Sequence, residues 1–74
     1  MEMTLKQAQM MEVKQVRDRL MVEADHLVNT AVDNGIDETP FRQYRQELRD
    51  IPQTFTNPEG VVWPQKPSLP QASA

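Results

Sequence analysis

The residues of this sequence that could do chemistry are few, and their spacing does not suit it. His26 is the single histidine, and its nearest acids, Glu23 and Asp25, do not give a metal-ligand spacing. The chain has no cysteine, which excludes thiolate chemistry and a disulfide staple together. Asp33, Asp37 and Glu38 crowd where one helix should end and the next begin. Carboxylates in such a place serve helix dipoles and linker geometry in preference to acid–base catalysis. No nucleophile is paired with a base, and two glycines are too few for a phosphate-binding loop. The pattern predicts a protein that is not an enzyme, with no metal and no cofactor.

What these residues can do is bind. Phe41, Tyr44, Leu48 and Ile51 recur at steps of three and four, with Arg42, Arg45 and Arg49 beside them at i, i+3 and i+7. Tyr, Trp and Arg dominate binding hot spots. The arginines have two readings. They form a solvated flank pairing with Glu23 or Asp25, worth about 0–1 kcal/mol per exposed pair, or they recognise an acidic partner surface. Trp63 stands between Val62 and Pro64 in a polar segment. It either folds back over Tyr44 and Leu48, which is the favoured expectation, or enters a pocket on a partner. Five methionines are many for this length and suit irregular partners as well as packing. The candidate partner-binding residues are Phe41, Tyr44, Arg45, Leu48, Arg49, Ile51, Pro52, Trp63 and Pro64.

Two helices must position them. Thr4, with Gln7 three residues on, has the capping-box pattern. Met10, Val13, Val16, Leu20, Ala24, Leu27 and Ala31 then follow at helical spacing, unbroken until Asn34-Gly35, either of which can take a left-handed cap. A thinner stripe runs through Met21, Val28 and Val32. A short linker, residues 35–38, predicts an antiparallel neighbour. The second helix is expected over roughly Pro40 to Asp50, with Thr39 as N-cap, Pro40 in the first turn, and Pro52 as the stop that turns Ile51 toward extended geometry. At about 16 Å it would cover only the last three turns of the first helix. Met10, Val13 and Val16 would be left bare as an interface or a frayed end. Asn57-Pro58-Glu59-Gly60 has type I turn preferences. Val61-Val62-Trp63 is β-prone but too short for a sheet. Prolines at 64, 67 and 70 give two PxxP spacings and favour an extended, polyproline-like course or disorder.

The fold expected is therefore all-α. Residues 1–52 form a helical hairpin with a long first helix and a short second one, and residues 53–74 form a turn and an extended proline-rich segment carrying Val-Trp-Pro. A chain of 74 residues allows one small core, so self-association through the long helix or a partner is expected to complete the burial. No apolar run approaches the roughly 20 residues that span a bilayer, and no signal-peptide core opens the chain. A soluble protein without a membrane partner is expected. The net charge is −3, with residues 1–38 carrying eight acids against four bases. That balance argues against a nucleic-acid partner, which would need a concentrated basic face.

Tyr44, Arg45, Gln46, Leu48, Arg49, Asp50, Ile51 and Pro52, followed by Pro58, Glu59, Val62, Trp63 and Pro64, closely resemble the C-terminal signature of the bacteriophage tail assembly chaperone family. Arg17, Asp18, Leu20 and Asp25 are similar to an upstream helix of that family. The sequence departs at His26 and Phe41, where tryptophan is usual. The resemblance implies a non-enzymatic protein that binds tail or tail-fibre proteins during virion assembly, in the host cytoplasm. The alternative it implies is a structural component retained in the virion tail.

Overall fold

The computed structural model describes residues 2–69. Helix α1 spans Leu5–Asp33 and helix α2 spans Thr39–Thr54, followed by a 3₁₀ turn over Pro58–Gly60. No strand occurs among the described residues. The start of α1 follows from its capping box: the Thr4 N–H donates to Gln7 Oε1 at 2.9 Å, and the Gln7 N–H donates to Thr4 Oγ1 at 3.1 Å. Its end is a Schellman motif. The Ile36 N–H donates to the Ala31 carbonyl at 2.8 Å and the Gly35 N–H to the Val32 carbonyl at 3.2 Å. Of the two capping candidates, Gly35 takes the left-handed conformation, at φ +68°, where a β-carbon would be strained. Ile36 closes the motif by packing against Val28, Ala31 and Phe41.

Helix α2 differs from expectation at both ends. Thr39 and Pro40 lie inside the first turn, and Glu38 occupies the N-cap without a side-chain bond. The capping work passes to Asp37, whose Oδ1 accepts the Thr39 N–H at 3.0 Å. That backbone bond, aided by one from the Thr39 side chain, holds the Asp37 carboxyl below its ordinary range. At the other end, Pro52 does not stop the helix and Ile51 is not extended. The helix runs on to Thr54, and the Phe55 N–H donates to the Ile51 carbonyl at 2.9 Å. A proline here forfeits one hydrogen bond to Leu48 and crowds its carbonyl. In return, the wound turn buries Ile51 and brings Phe55 onto the same face.

The two helices pack around a narrow core. Ala24, Tyr44, Leu48 and Ile51 form one cluster, flanked by Val13, Leu20, Met21, Phe55 and Val61. Val28, Ala31 and Phe41 form a second, flanked by Leu27, Ile36 and Leu69. Because α2 has 16 residues, about 24 Å of helix, it reaches further down α1 than expected. Val13 therefore packs on the core, and Val16 is half-buried, lining a hollow with Pro58 of the 3₁₀ turn. The N-terminal end stays bare, with Met3, Leu5 and Met11 54%, 75% and 47% exposed.

The C-terminal segment returns along the hairpin. The 3₁₀ turn follows the expected turn chemistry: the Gly60 N–H donates to the Asn57 carbonyl at 3.0 Å and the Glu59 N–H to Asn57 Oδ1 at 3.1 Å. Val61 then seats on the first cluster and Leu69 on the second. Pro58, Val61, Pro64 and Pro67 are half-buried, and the residues between Val61 and Pro67 other than Pro64 are exposed. Half-burial thus recurs at every third residue from Pro58 to Pro67. Lys66 Nζ also reaches Glu23 Oε2, at 3.4 Å. The second PxxP spacing ends at Pro70, which lies outside the described residues, as do residues 71–74.

Leu48 is fully buried at the junction of all these pieces. Leu48→Ala should destabilise the protein by about 2–5 kcal/mol, whereas the same measurement on Val22→Ala, an exposed position of α1, should move stability by less than about 0.5 kcal/mol. Chemical denaturation followed by circular dichroism checks both. Equal effects at the two sites would contradict this core.

Candidate functional site

The nine residues marked by the sequence divide into an inside and an outside. Phe41, Tyr44, Leu48 and Ile51 are each no more than 3% exposed, so they form the core, and of the four only Ile51 also lines a hollow described below. The reason lies on α1. Its residues at the contact, Ala24, Val28 and Ala31, are small, which lets the axes approach until the large side chains of α2 are enclosed. Tyr44 feels this enclosure. Burial, and secondarily the nearby charge of Glu23, raises its hydroxyl pKa above the ordinary 10.0.

The arginines are split as well. Arg45 is half-buried and turns back to Asp25 Oδ1 at 3.2 Å, the local pairing that was one of its two readings. Arg42 pairs with Glu38 at 3.6 Å. Arg49 is exposed and makes no ion pair among the described residues. Asp50 accepts from Gln46 Nε2 at 3.0 Å, so it is engaged within its own helix.

Trp63 is the residue left on view. The seat expected for it, over Tyr44 and Leu48, is taken by Val61, and Trp63 keeps 37% of its surface exposed. It stands between two hollows. On one side Ile51 and Phe55 floor a cavity of about 290 Å³, rimmed by Glu47, Asp50 and Thr54 and closed by Val62, Trp63 and Pro64. On the other side lie Gln9, Glu12, Val13 and Val16 of α1 with Pro58 and Glu59. Both hollows have apolar floors and acidic rims. This arrangement suits an apolar side chain flanked by basic groups.

Several lining residues were missed in the sequence. Phe55 stands seven residues after Leu48 and four after Ile51, continuing the α2 stripe. That continuation lies beyond Pro52, the expected stop of the helix, so the sequence reading of the stripe ends at Ile51. Glu47, Thr54 and Val62 had no local signal, since they line a site only once the chain has turned back. His26 is exposed, and among the described residues no group of three or more His, Cys, Asp or Glu could hold a metal ion. No described helix is long and apolar enough to cross a membrane.

A family model described as phage tail assembly chaperone protein matches residues 10–68. No curated protein and no solved structure matches the chain. The matched span includes the whole of α2, the 3₁₀ turn and Trp63, and it takes in every lining residue of the two hollows except Gln9.

A raised folded-state pKa gives Tyr44 a stabilising contribution that is complete below the unfolded value. It is lost as pH rises through the folded one. Tyrosinate absorbance, read on the only tyrosine of the chain, should therefore titrate with a midpoint above 10.0 in the folded protein and fall to the ordinary value in denaturant. A midpoint at or below 10.0 in folded protein would contradict the enclosure of Tyr44.

Proposed function

The chain belongs to the phage tail assembly chaperone family, and on that premise we propose that it binds a tail or tail-fibre protein through the two hollows that flank Trp63. The reading is of a non-enzymatic assembly factor acting in the host cytoplasm. It holds a segment of its client until that segment is built into the virion. The observation that carries it is the exposure of Trp63. A tryptophan of a small domain is costly to leave in water, since its burial removes about 150–250 Å² of apolar surface. Here it remains 37% exposed although Val61, two residues earlier, is seated on the core. The acidic rims select the client chemistry: an apolar residue, aromatic or aliphatic, with Lys or Arg close by. Arg49, exposed on the outer face of α2, adds a donor for client carbonyls or carboxylates. Arg45 contributes by holding α2 to α1 through Asp25, while Phe41, Tyr44, Leu48, Ile51 and Pro52 support the surface from beneath.

The test is capture of the tail and tail-fibre proteins of the same virion by purified wild type, Trp63→Ala and Glu47→Lys/Asp50→Lys. Helicity is to be confirmed for each. Trp63→Ala should weaken capture by about 2 kcal/mol or more, roughly 30-fold, and the charge reversal should do so by disfavouring a basic client. Equal capture by all three forms would remove the hollows from the interface. The fate of the protein gives a second reading of the same proposal: purified virions should lack it. Stoichiometric presence would instead make it a structural component of the tail.

A further inference from the structure

The N-terminal end of α1 carries an apolar patch that the hairpin does not cover. Met3, Gln7, Met10, Met11 and Lys14 line a shallow hollow with Glu2 at its far end. Gln7, Met10 and Lys14 recur at three and four along α1, the spacing of a helix-pairing seam, and Met3 and Glu2 precede them just before the helix begins. At 3.6 residues per turn this seam lies about a quarter turn round α1 from Val13, Leu20 and Ala24. Those residues face α2 and the returning segment, so the seam is left free. Its charges are arranged by position, with an acid at one end, a base at the other and methionines between. None of the ion pairs among the described residues uses Glu2 or Lys14.

A strip with opposite charges at its two ends is complementary to itself after rotation by half a turn. We propose that this patch is an interface between two copies of the chain, paired antiparallel about a two-fold axis passing between Gln7 and Met10. Each Lys14 then reaches Glu2 of the other copy, so the pairing makes two equivalent ion pairs. Met10 and Met11 of both copies fill the middle, where unbranched thioether side chains adapt to one another without a preformed pocket. A parallel pairing would instead set Glu2 against Glu2 and Lys14 against Lys14. The interface is small, which places the dimer at the weak end of specific association. The Trp63 hollow formed with Gln9 and Glu12 lies on roughly the opposite side of α1, so the dimer presents its client-binding surfaces outward.

Analytical ultracentrifugation of the full chain across micromolar to millimolar concentration tests this. The wild type should show a reversible monomer–dimer equilibrium that weakens as salt is added. Glu2→Lys and Lys14→Glu should each weaken it by roughly 5- to 30-fold, as two attractions become two repulsions. The double variant Glu2→Lys/Lys14→Glu should return to near the wild-type constant, because the exchanged charges face one another again. Both side chains are exposed, so circular dichroism should show the hairpin intact in every form. A monomer at all concentrations overturns the proposal. So do single reversals without effect, and so does a double variant no better than the singles, which would mean a different register or a different partner.

Discussion

The structure depends on a size match between two helix faces. α1 offers Ala24, Val28 and Ala31, and α2 offers Phe41, Tyr44, Leu48 and Ile51. Small residues on one side allow close approach, and large ones on the other fill what that approach encloses. Substituting bulk on the α1 side would push the axes apart and expose the α2 stripe. The register that aligns the two faces is set by the turn between them. The Gly35 backbone and the Ile36 side chain close α1 with a Schellman motif, and Asp37 opens α2 by accepting the Thr39 N–H. Five linker residues, Asn34 to Glu38, leave little freedom for another alignment.

Electrostatics play a smaller part. The ion pairs Arg45–Asp25 and Lys66–Glu23 bridge elements, but each has exposed or half-exposed partners, and such pairs contribute about 0–1 kcal/mol. They steer the α2 face and the returning segment into place, and apolar burial holds them there. The returning segment in turn depends on the hairpin. Val61 and Leu69 touch one cluster each, so the segment has a seat only where the helices have already paired. This hierarchy explains how Trp63 is presented. The Asn57-led 3₁₀ turn aims the chain, Val61 anchors it, and Trp63 is carried to the edge of the Ile51–Phe55 floor.

That placement gives the residues of the segment 44–64 two different positions in the fold. The C-terminal motif contributes in two ways. Tyr44, Leu48 and Ile51 make the scaffold, and Trp63 with Val62 and Pro64 makes the accessible edge. Residues of one motif thus divide between holding the surface and forming it.

Much of the local structure was legible in the sequence. The Thr4–Gln7 box, a helix end at Asn34-Gly35 and the turn led by Asn57 all rest on interactions within about five residues, which a sequence displays directly, and the short linker pointed to an antiparallel hairpin. The helical spacing of Phe41, Tyr44, Leu48 and Ile51 also showed which face of α2 is apolar. It did not show that α1 would bury that face, because an apolar stripe looks the same whether it becomes core or interface. Three outcomes were left to the tertiary structure: the extra turn past Pro52, the choice of Val61 over Trp63 for the seat on the core, and the pairing of Arg45 with Asp25. In each, segments far apart in sequence compete for the same surface. Burying Ile51 and bringing Phe55 onto the core offset a local proline penalty of about 3 kcal/mol, and only the folded chain sets that nonlocal gain against the local cost.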